Sequence, residues 1–243
     1  KIDESNISNI EHEVVNSLKY ANCGYLIAEK FINGQEVTVE GFASNFKHRT
    51  LAISKKKHFR TGIASELRYP AEIPNNIYLE IEKINDFFVE NSGLRFGITH
   101  AEYMIDEKTN RIALIEIACR GGGTLISSDI VRWVSGINLY DLFYENLIGR
   151  HTDVKQLNIL KRPAILKFFE FKQGIVKSVI GLDKLAKMKE IISYNFSFKP
   201  GDQLNPASDD RTRQGYFIAL ANTEDELDEI INKVNNFIEI EYE

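Results

Sequence analysis

Cysteine is scarce in this chain: Cys23 and Cys119 are the only two among 243 residues. Two thiols make neither a disulfide framework nor a zinc site. Cys119, at the end of an apolar run, reads as a small buried hydrophobe. The five histidines (His12, His48, His58, His100 and His151) stand at no metal-ligand spacing. Cationic excess is absent as well, with 30 Lys and Arg against 35 Asp and Glu and a formal net charge of −5. No basic tract is interleaved with aromatics, so nucleic acid is not an expected partner. The densest basic run, Lys55-Lys56-Lys57-His58, is short and reads as solvated. No apolar run is long enough to span a bilayer, and no secretory signal pattern is found. No membrane partner is expected, and the expected setting is a reducing cytoplasm. The 243 residues hold no G-x-x-x-x-G-K-S/T phosphate loop, no internal repeat and no low-complexity tract.

What is present is an ordinary globular composition, 43% hydrophobic and 27% charged. It suffices for one large domain or two small ones. Ser8 reads as the N-cap of a helix over 9–20, with Glu11 in the capping-box position and Ile10, Val14, Val15 and Leu18 on one face. Residues 25–32 read as an apolar strand, Asn33-Gly34 as a hairpin turn and 36–42 as the return strand. Residues 51–54 form a further strand and 58–74 a long irregular passage. An amphipathic helix over 75–92 turns Ile77, Ile81, Ile84, Phe87 and Phe88 inward and ends at Gly93. Helices follow over 126–133 and 139–147. Segments 164–171 and 175–181 read as a hairpin around Lys172-Gln173-Gly174, then come a short helix over 183–189 and strands over 191–199 and 213–220. Thr223 caps a last helix over 224–237, with Glu226 three residues on. Strands outnumber βαβ crossovers, which predicts an α+β fold with a mixed, largely antiparallel sheet.

The most informative stretch is 97–124, GITHAEYMIDEKTNRIALIEIACRGGGT. Polar Asp106 to Arg111 between two apolar runs reads as the turn of a β-hairpin. With that turn centred on Thr109, Glu102 lies opposite Glu116, Met104 opposite Leu114 and Asp106 opposite Ile112. Like charges directly opposite destabilise a sheet, and a cation between them relieves the repulsion. Mg²⁺ suits two carboxylates, because it takes hard oxygen ligands and keeps positions for water and phosphate. Arg120 follows at the strand's end, where a planar guanidinium suits phosphate or acyl phosphate. Gly121, Gly122 and Gly123 expose backbone N–H groups to anionic oxygens. The stretch therefore reads as a magnesium–nucleotide site. The competing reading is a pair of glutamates that both face water beside a flexible loop.

Glu29-Lys30-Phe31-Ile32, followed by Glu36, forms a second feature. Together with the hairpin it resembles the ATP-grasp superfamily, which includes biotin carboxylase, carbamoyl-phosphate synthetase and D-alanine–D-alanine ligase. The later Lys199-Pro200-Gly201-Asp202 and the strand RQGYFIAL from Arg213 resemble the closing domain of its amino-acid ligases. Thr212 stands where that pattern has aspartate, and Gln214 where it has valine. The resemblance covers nearly the whole chain. It implies that the backbone of Glu29, Lys30, Phe31 and Ile32 meets the adenine edge of ATP and that Glu36 holds the ribose. It also implies that Glu102 and Glu116 bind Mg²⁺ (or Mn²⁺), and that Arg120 contacts the transferred phosphate. Gly121 to Gly123 and Arg213 would face substrate, and His100, on the face of Glu102, would contact substrate or assist proton transfer. The family pattern E-x-N-x-R departs here to Glu116-Ile117-Ala118-Cys119-Arg120, which puts a second metal position in doubt.

The implied organisation is a lid remnant over 1–28, a large ATP-grasp subdomain over 29–160 and a small C-terminal α+β domain over 161–243. The family's N-terminal domain and glycine-rich lid loop would lie upstream. The implied activity is an ATP-dependent carboxylate–amine ligase that activates a small carboxylate as an acyl phosphate for attack by an amine, with a homodimer as one possible assembly; these 243 residues are expected to be a fragment of it, inactive alone. The alternative is a nucleotide-binding subunit or half of a split complex, inactive alone.

Overall fold

The computed structural model describes residues 7–60 and 62–243. The chain divides into two compact units, Lys1–Asn33 and Gly34–Glu243. In the first unit a 3-10 turn, Ile7–Asn9, leads into helix α1, Ile10–Leu18. The cap is Asn9 rather than Ser8, and no side chain caps the helix, so the predicted capping box is not formed. The stripe of Ile10, Val14, Val15 and Leu18 is exposed. The strand predicted over 25–32 is absent, and Asn33-Gly34 is not a hairpin turn. Gly34 instead opens the first strand of the second unit. A Cβ there would lie 2.0 Å from the carbonyl oxygen of Ile105, so only glycine fits.

The second unit is built on one large sheet. Its strands are β1 (Gly34–Ser44), β2 (Lys47–Arg60), β3 (Ile63–Tyr69), β4 (Gly97–Asp106) and β5 (Ile112–Ala118), followed after helix-rich residues by β6 (Ala164–Phe168), β7 (Gly174–Ile180), β8 (Ile191–Phe196), β9 (Gln203–Leu204), β10 (Gly215–Leu220) and β11 (Glu239–Tyr242). Eight of them form a sheet in the order β5-β4-β1-β2-β3-β6-β10-β8, and β11-β7-β9 form a second. Every described ladder is antiparallel. The expected hairpin over 164–181 is not made. Both edges of β6 are taken, by β3 and β10, so β7 pairs with β11 and β9 instead.

The passage expected to be irregular over 58–74 holds the end of β2 and all of β3. It reads as loop because its outward positions are charged, yet those charges are paired. Glu66 meets Lys57 at 2.7 Å and Lys167 at 2.8 Å. Arg68 meets Glu224 and Asp228, both at 2.6 Å. β1 and β2 are joined by Asn45 and Phe46, both at positive φ, a mirror-image hairpin turn whose twist suits antiparallel strands.

Helix α2 (Asn75–Glu90) covers one face of the sheet. It buries Ile77, Tyr78, Ile81, Asn85 and Val89 against Val37, Val39, Ile53, Ala101 and Tyr103. Phe87 and Phe88, predicted inward, are 63% and 42% exposed. Their place is taken by Asn85, which satisfies its amide on Thr50 and on the hydroxyl of Tyr103. On the other face a π-turn, Ile126–Ile130, leads into α3 (Val131–Ser135) and α4 (Leu139–Leu147). They pack on Phe42, Leu67, Leu166 and Ile218. After the short α5 (Leu182–Leu185), helix α6 (Glu224–Phe237) lays Leu227, Ile230 and Val234 on Ile165 and Phe217. Its predicted cap is formed, since the Thr223 hydroxyl accepts from the Glu226 N–H at 3.2 Å. β6, β8 and β10, from the segment 161–243, continue the same sheet as β1 to β5.

Candidate functional site

Strand alternation gives β1 a polar face of Glu36, Thr38 and Glu40, opposite the valines that pack on α2. Register then decides which charges meet. Glu36 stands opposite Lys56 on β2, Glu40 opposite His100 on β4, and Thr38 opposite Glu102. Glu102 in turn faces Glu116 on β5, as the hairpin reading expects. The rest of that hairpin differs by one residue. The turn closes on Asp106 and Arg111, so Ile105 faces Ile112 and Met104 faces Ala113 rather than Leu114. A bulge at Ile115 restores the pairing of the two glutamates.

The charges form a chain of contacts. Lys56 Nζ donates to Glu36 at 2.5 Å and to Glu102 at 3.1 Å. Burial lowers the lysine pKa, but the charges and hydrogen bonds of Glu102 and Glu36 outweigh it and hold the group above its ordinary value. His100 Nδ1 lies 2.5 Å from Glu40, and its Nε2 lies 3.7 Å from Glu102. Burial opposes the imidazolium, while hydrogen bonds and charge from Glu102 and Glu40 favour it and push the pKa to about 9. Glu102 is correspondingly held at about 2: burial raises it, and His100 and Lys56 together prevail. The cation that the opposed glutamates require is therefore supplied in part by side chains.

Lys56 was not read as part of a site. Its side chain is 12% exposed, so the basic run at 55–57 is not wholly solvated. The available signal was alternation along β2, which puts Ser54 and Lys56 on one face. His58 also turns to Glu36, at 3.1 Å.

Glu116 and Arg120 sit at the wet end, 54% and 57% exposed and 3.6 Å apart. Cys119 is exposed, not the buried hydrophobe expected of it. The three glycines after Arg120 are not equivalent. A Cβ on Gly121 would lie 2.3 Å from Ser127 Oγ, and one on Gly122 would lie 2.7 Å from Glu40 Oε1. Gly122 N–H donates to Glu40 Oε2 at 3.3 Å. Gly121 and Gly122 are thus glycines of close packing, and the Gly122 amide is already used. Only Gly123 has open space at its Cβ position and lines the cavity beside Arg120.

That cavity measures about 170 Å³ and runs along one face of six neighbouring strands. Lys56, His100, Glu102, Glu116 and Arg120 line its charged end, and Ala64, Leu67, Ile126, Leu166 and Phe168 line its apolar end. Arg213 closes the apolar end, its guanidinium 3.5 Å from the Phe168 ring centroid and 3.4 Å from Asp210. Burial lowers its pKa despite Asp210, leaving a partly desolvated cation with one loose partner. Ligand atoms of His100, Glu102 and Glu116 can lie within 4.8 Å of one another. Of these three groups the two carboxylates are the hard oxygen donors that a divalent cation takes, whereas His100, held as the imidazolium, is not a ligand.

The structure thus brings His100, Glu102, Glu116, Arg120, Gly123 and Arg213 to one cavity. Gly121 and Gly122 lie beside it, and Glu36 joins through Lys56. Glu29, Lys30, Phe31 and Ile32 belong to the other compact unit.

Residues 4–129, more than half of the chain, match the family model for the ATP-grasp domain. Residues 167–243 match the model for L-amino acid ligase C-terminal domain 2. No curated protein matches the chain. An L-amino acid ligase from Bacillus licheniformis superposes with a TM-score of 0.81 at 19% identity, covering 100% of this chain and 62% of that one. A phosphoribosylglycinamide synthetase from Anaerococcus prevotii gives 0.71 at 17% identity, covering 99% and 61%. The biotin carboxylase domain of the Hydrogenobacter thermophilus 2-oxoglutarate carboxylase, solved as a dimer with MgADP, ADP and bicarbonate, gives 0.71 at 14%, covering 97% and 52%. The chain spans less than two thirds of each of these proteins. With residues 4–129 matching its domain model, the chain belongs to the ATP-grasp family.

Proposed function

We propose that this chain carries the nucleotide and acyl-transfer site of an ATP-dependent carboxylate–amine ligase. One observation carries the reading: Glu102 and Glu116 are register partners, and both line one cavity with His100 and Arg120. Glu102 and Glu116 hold Mg²⁺, which in such sites neutralises charge on phosphate oxygens. Glu36 holds the ribose, and the backbone of 29–32 meets the adenine. The proposed organisation is a lid remnant over 1–28, a nucleotide-binding part over 29–160 and a closing part over 161–243.

Two displacements make up the reaction. A substrate carboxylate oxygen attacks the γ-phosphorus of ATP, the bond to the β-phosphate oxygen breaks, and ADP leaves. The amine nitrogen then attacks the acyl carbon, inorganic phosphate leaves, and the nitrogen sheds a proton. The protein's part is to position and to neutralise. Arg120 sets its guanidinium against the transferred phosphoryl group. His100, protonated between Glu40 and Glu102, adds a fixed positive charge and an Nε2–H donor to the same wall. Gly123 lets substrate approach the backbone. Arg213, under-compensated at the apolar end, takes a substrate carboxylate. The apolar side chains between the two cations exclude water from the acyl phosphate.

The test is a phosphate-release assay with ATP, Mg²⁺ and a matrix of small carboxylic and amino acids. The expected result is release of ADP and phosphate in equal amounts, only with a suitable acid and amine together. Nucleotide binding without turnover for any pair, in a longer chain that carries the family's lid loop, contradicts the ligase reading.

A further inference from the structure

The proposed chemistry gives no direct role to Glu40, an acidic side chain at the centre of the sheet. Glu40 is 0% exposed, and burying a carboxylate is costly unless both oxygens find partners. Both do, and the partners come from different elements. Oε1 lies 2.5 Å from Nδ1 of His100 on β4, and Oε2 accepts the N–H of Gly122 at 3.3 Å. The carbonyl of Gly122 is engaged by the Ser127 hydroxyl at 3.5 Å. One residue, Gly122, two positions beyond Arg120, is thus held at both its N–H and its carbonyl, which fixes the peptide groups on either side of it. Gly121 and Gly122 leave no room for a side chain. Among the described residues Arg120 meets Glu116 at 3.6 Å and the Gly121 carbonyl at 3.1 Å, and its own side chain is 57% exposed.

We infer that Glu40 is a positioning residue: its carboxylate ties the Arg120–Thr124 loop to His100 and thereby sets where Arg120 and Gly123 stand in the cavity. Glutamine keeps the length but replaces one of the two acceptor oxygens by an NH₂ group and removes the negative charge. Aspartate is one methylene too short to span both partners. The kinetic part of this inference rests on the ligase reading, and the structural part does not.

Hydrogen exchange resolved at single amides tests the structural part in the unaltered chain. The Gly122 amide is expected to exchange at least about tenfold more slowly than that of Gly123. In Glu40→Gln that protection falls by about tenfold, while amides of the β1–β4 ladder stay within about twofold of the parent. MgADP affinity stays within about threefold and kcat for phosphate release falls by about tenfold or more, since small displacements near reacting groups are costly. If Glu40→Gln does not fold, Ser127→Ala loosens the same residue, Gly122, at its carbonyl and gives the smaller change of the same sign. Equal exchange at Gly122 and Gly123 in the parent chain overturns the inference. So does a variant in which the whole sheet loosens together with the loop, because that is the behaviour of a merely structural carboxylate. A parent chain that protects Gly122 but binds no MgADP would sink the ligase reading and leave the clamp standing.

Discussion

The two ends of the cavity are built from the same sheet by opposite means. At one end, β5, β4, β1 and β2 contribute Glu116, His100, Glu102, Thr38 and Lys56. At the other, β3 and β6 contribute Leu67, Leu166 and Phe168, each no more than 5% exposed. Lys56 and Leu67 are direct register partners, as are Leu67 and Leu166, so the change from charged to apolar happens within one row of the sheet. The apolar end is filled as a core is filled and carries stability. The charged end spends burial on groups that hold one another and, in the proposed function, carries binding. The proposed ligase chemistry would use both, a charged surface for polyphosphate and a dry wall for a labile acyl group.

Substitutions at each end should therefore separate stability from affinity. The largest effect on folding is expected from Leu166→Ala, about 3 kcal/mol by chemical denaturation, with MgADP affinity of the folded fraction unchanged. A loss of nucleotide binding in parallel would erase the distinction between the ends. Next comes Lys56→Met, which leaves Glu36 and Glu102 facing each other without their shared cation. It should cost about 2 kcal/mol, and Lys56→Arg should recover part of it.

A smaller effect is expected from pH. His100, raised from 6.5 to about 9, contributes stability fully present below pH 6.5 and lost as pH climbs through 9. Glu102, lowered from 4.5 to about 2, contributes stability fully present above pH 4.5 and lost as pH falls toward 2. Their joint contribution is thus complete between pH 4.5 and 6.5. Urea midpoints against pH should show the alkaline decline, and His100→Gln should remove it. An unchanged alkaline limb in that variant would assign the decline elsewhere. The smallest effect on folding belongs to Glu116→Gln, within about 0.5 kcal/mol, because its pair with Arg120 is solvent-exposed. That variant is nevertheless the one expected to damage binding most selectively.

The same contrast explains what was legible in the sequence. The opposed glutamates were readable because a polar turn between two apolar runs fixes a hairpin from local information, and the bulge at Ile115 altered the lower half without disturbing Glu102 and Glu116. The α6 cap and the central helices were readable for the same local reason. Lys56 was hidden because charged residues in a row look solvated, and only distant β1 and β4 show that Lys56 is enclosed. β3 was hidden likewise, since Glu66 and Arg68 find their partners on β6 and α6. The pairing of β6 with β3 and β10, in place of a local hairpin with β7, depends on which edges remain free once the sheet is assembled. The first unit was over-read: an apolar stretch at 25–32 has strand composition, but a strand also needs an edge to pair with.

The central claim is that the register pair on β4 and β5 makes a metal–nucleotide site, and calorimetric titration with ADP tests it most directly. The account predicts saturable binding that requires Mg²⁺, weakened by about tenfold or more in both Glu102→Gln and Glu116→Gln, with Glu116→Gln keeping the parent's melting behaviour. Binding that is indifferent to Mg²⁺, or equal in the parent and both variants, would contradict it and leave the two glutamates as a solvated pair.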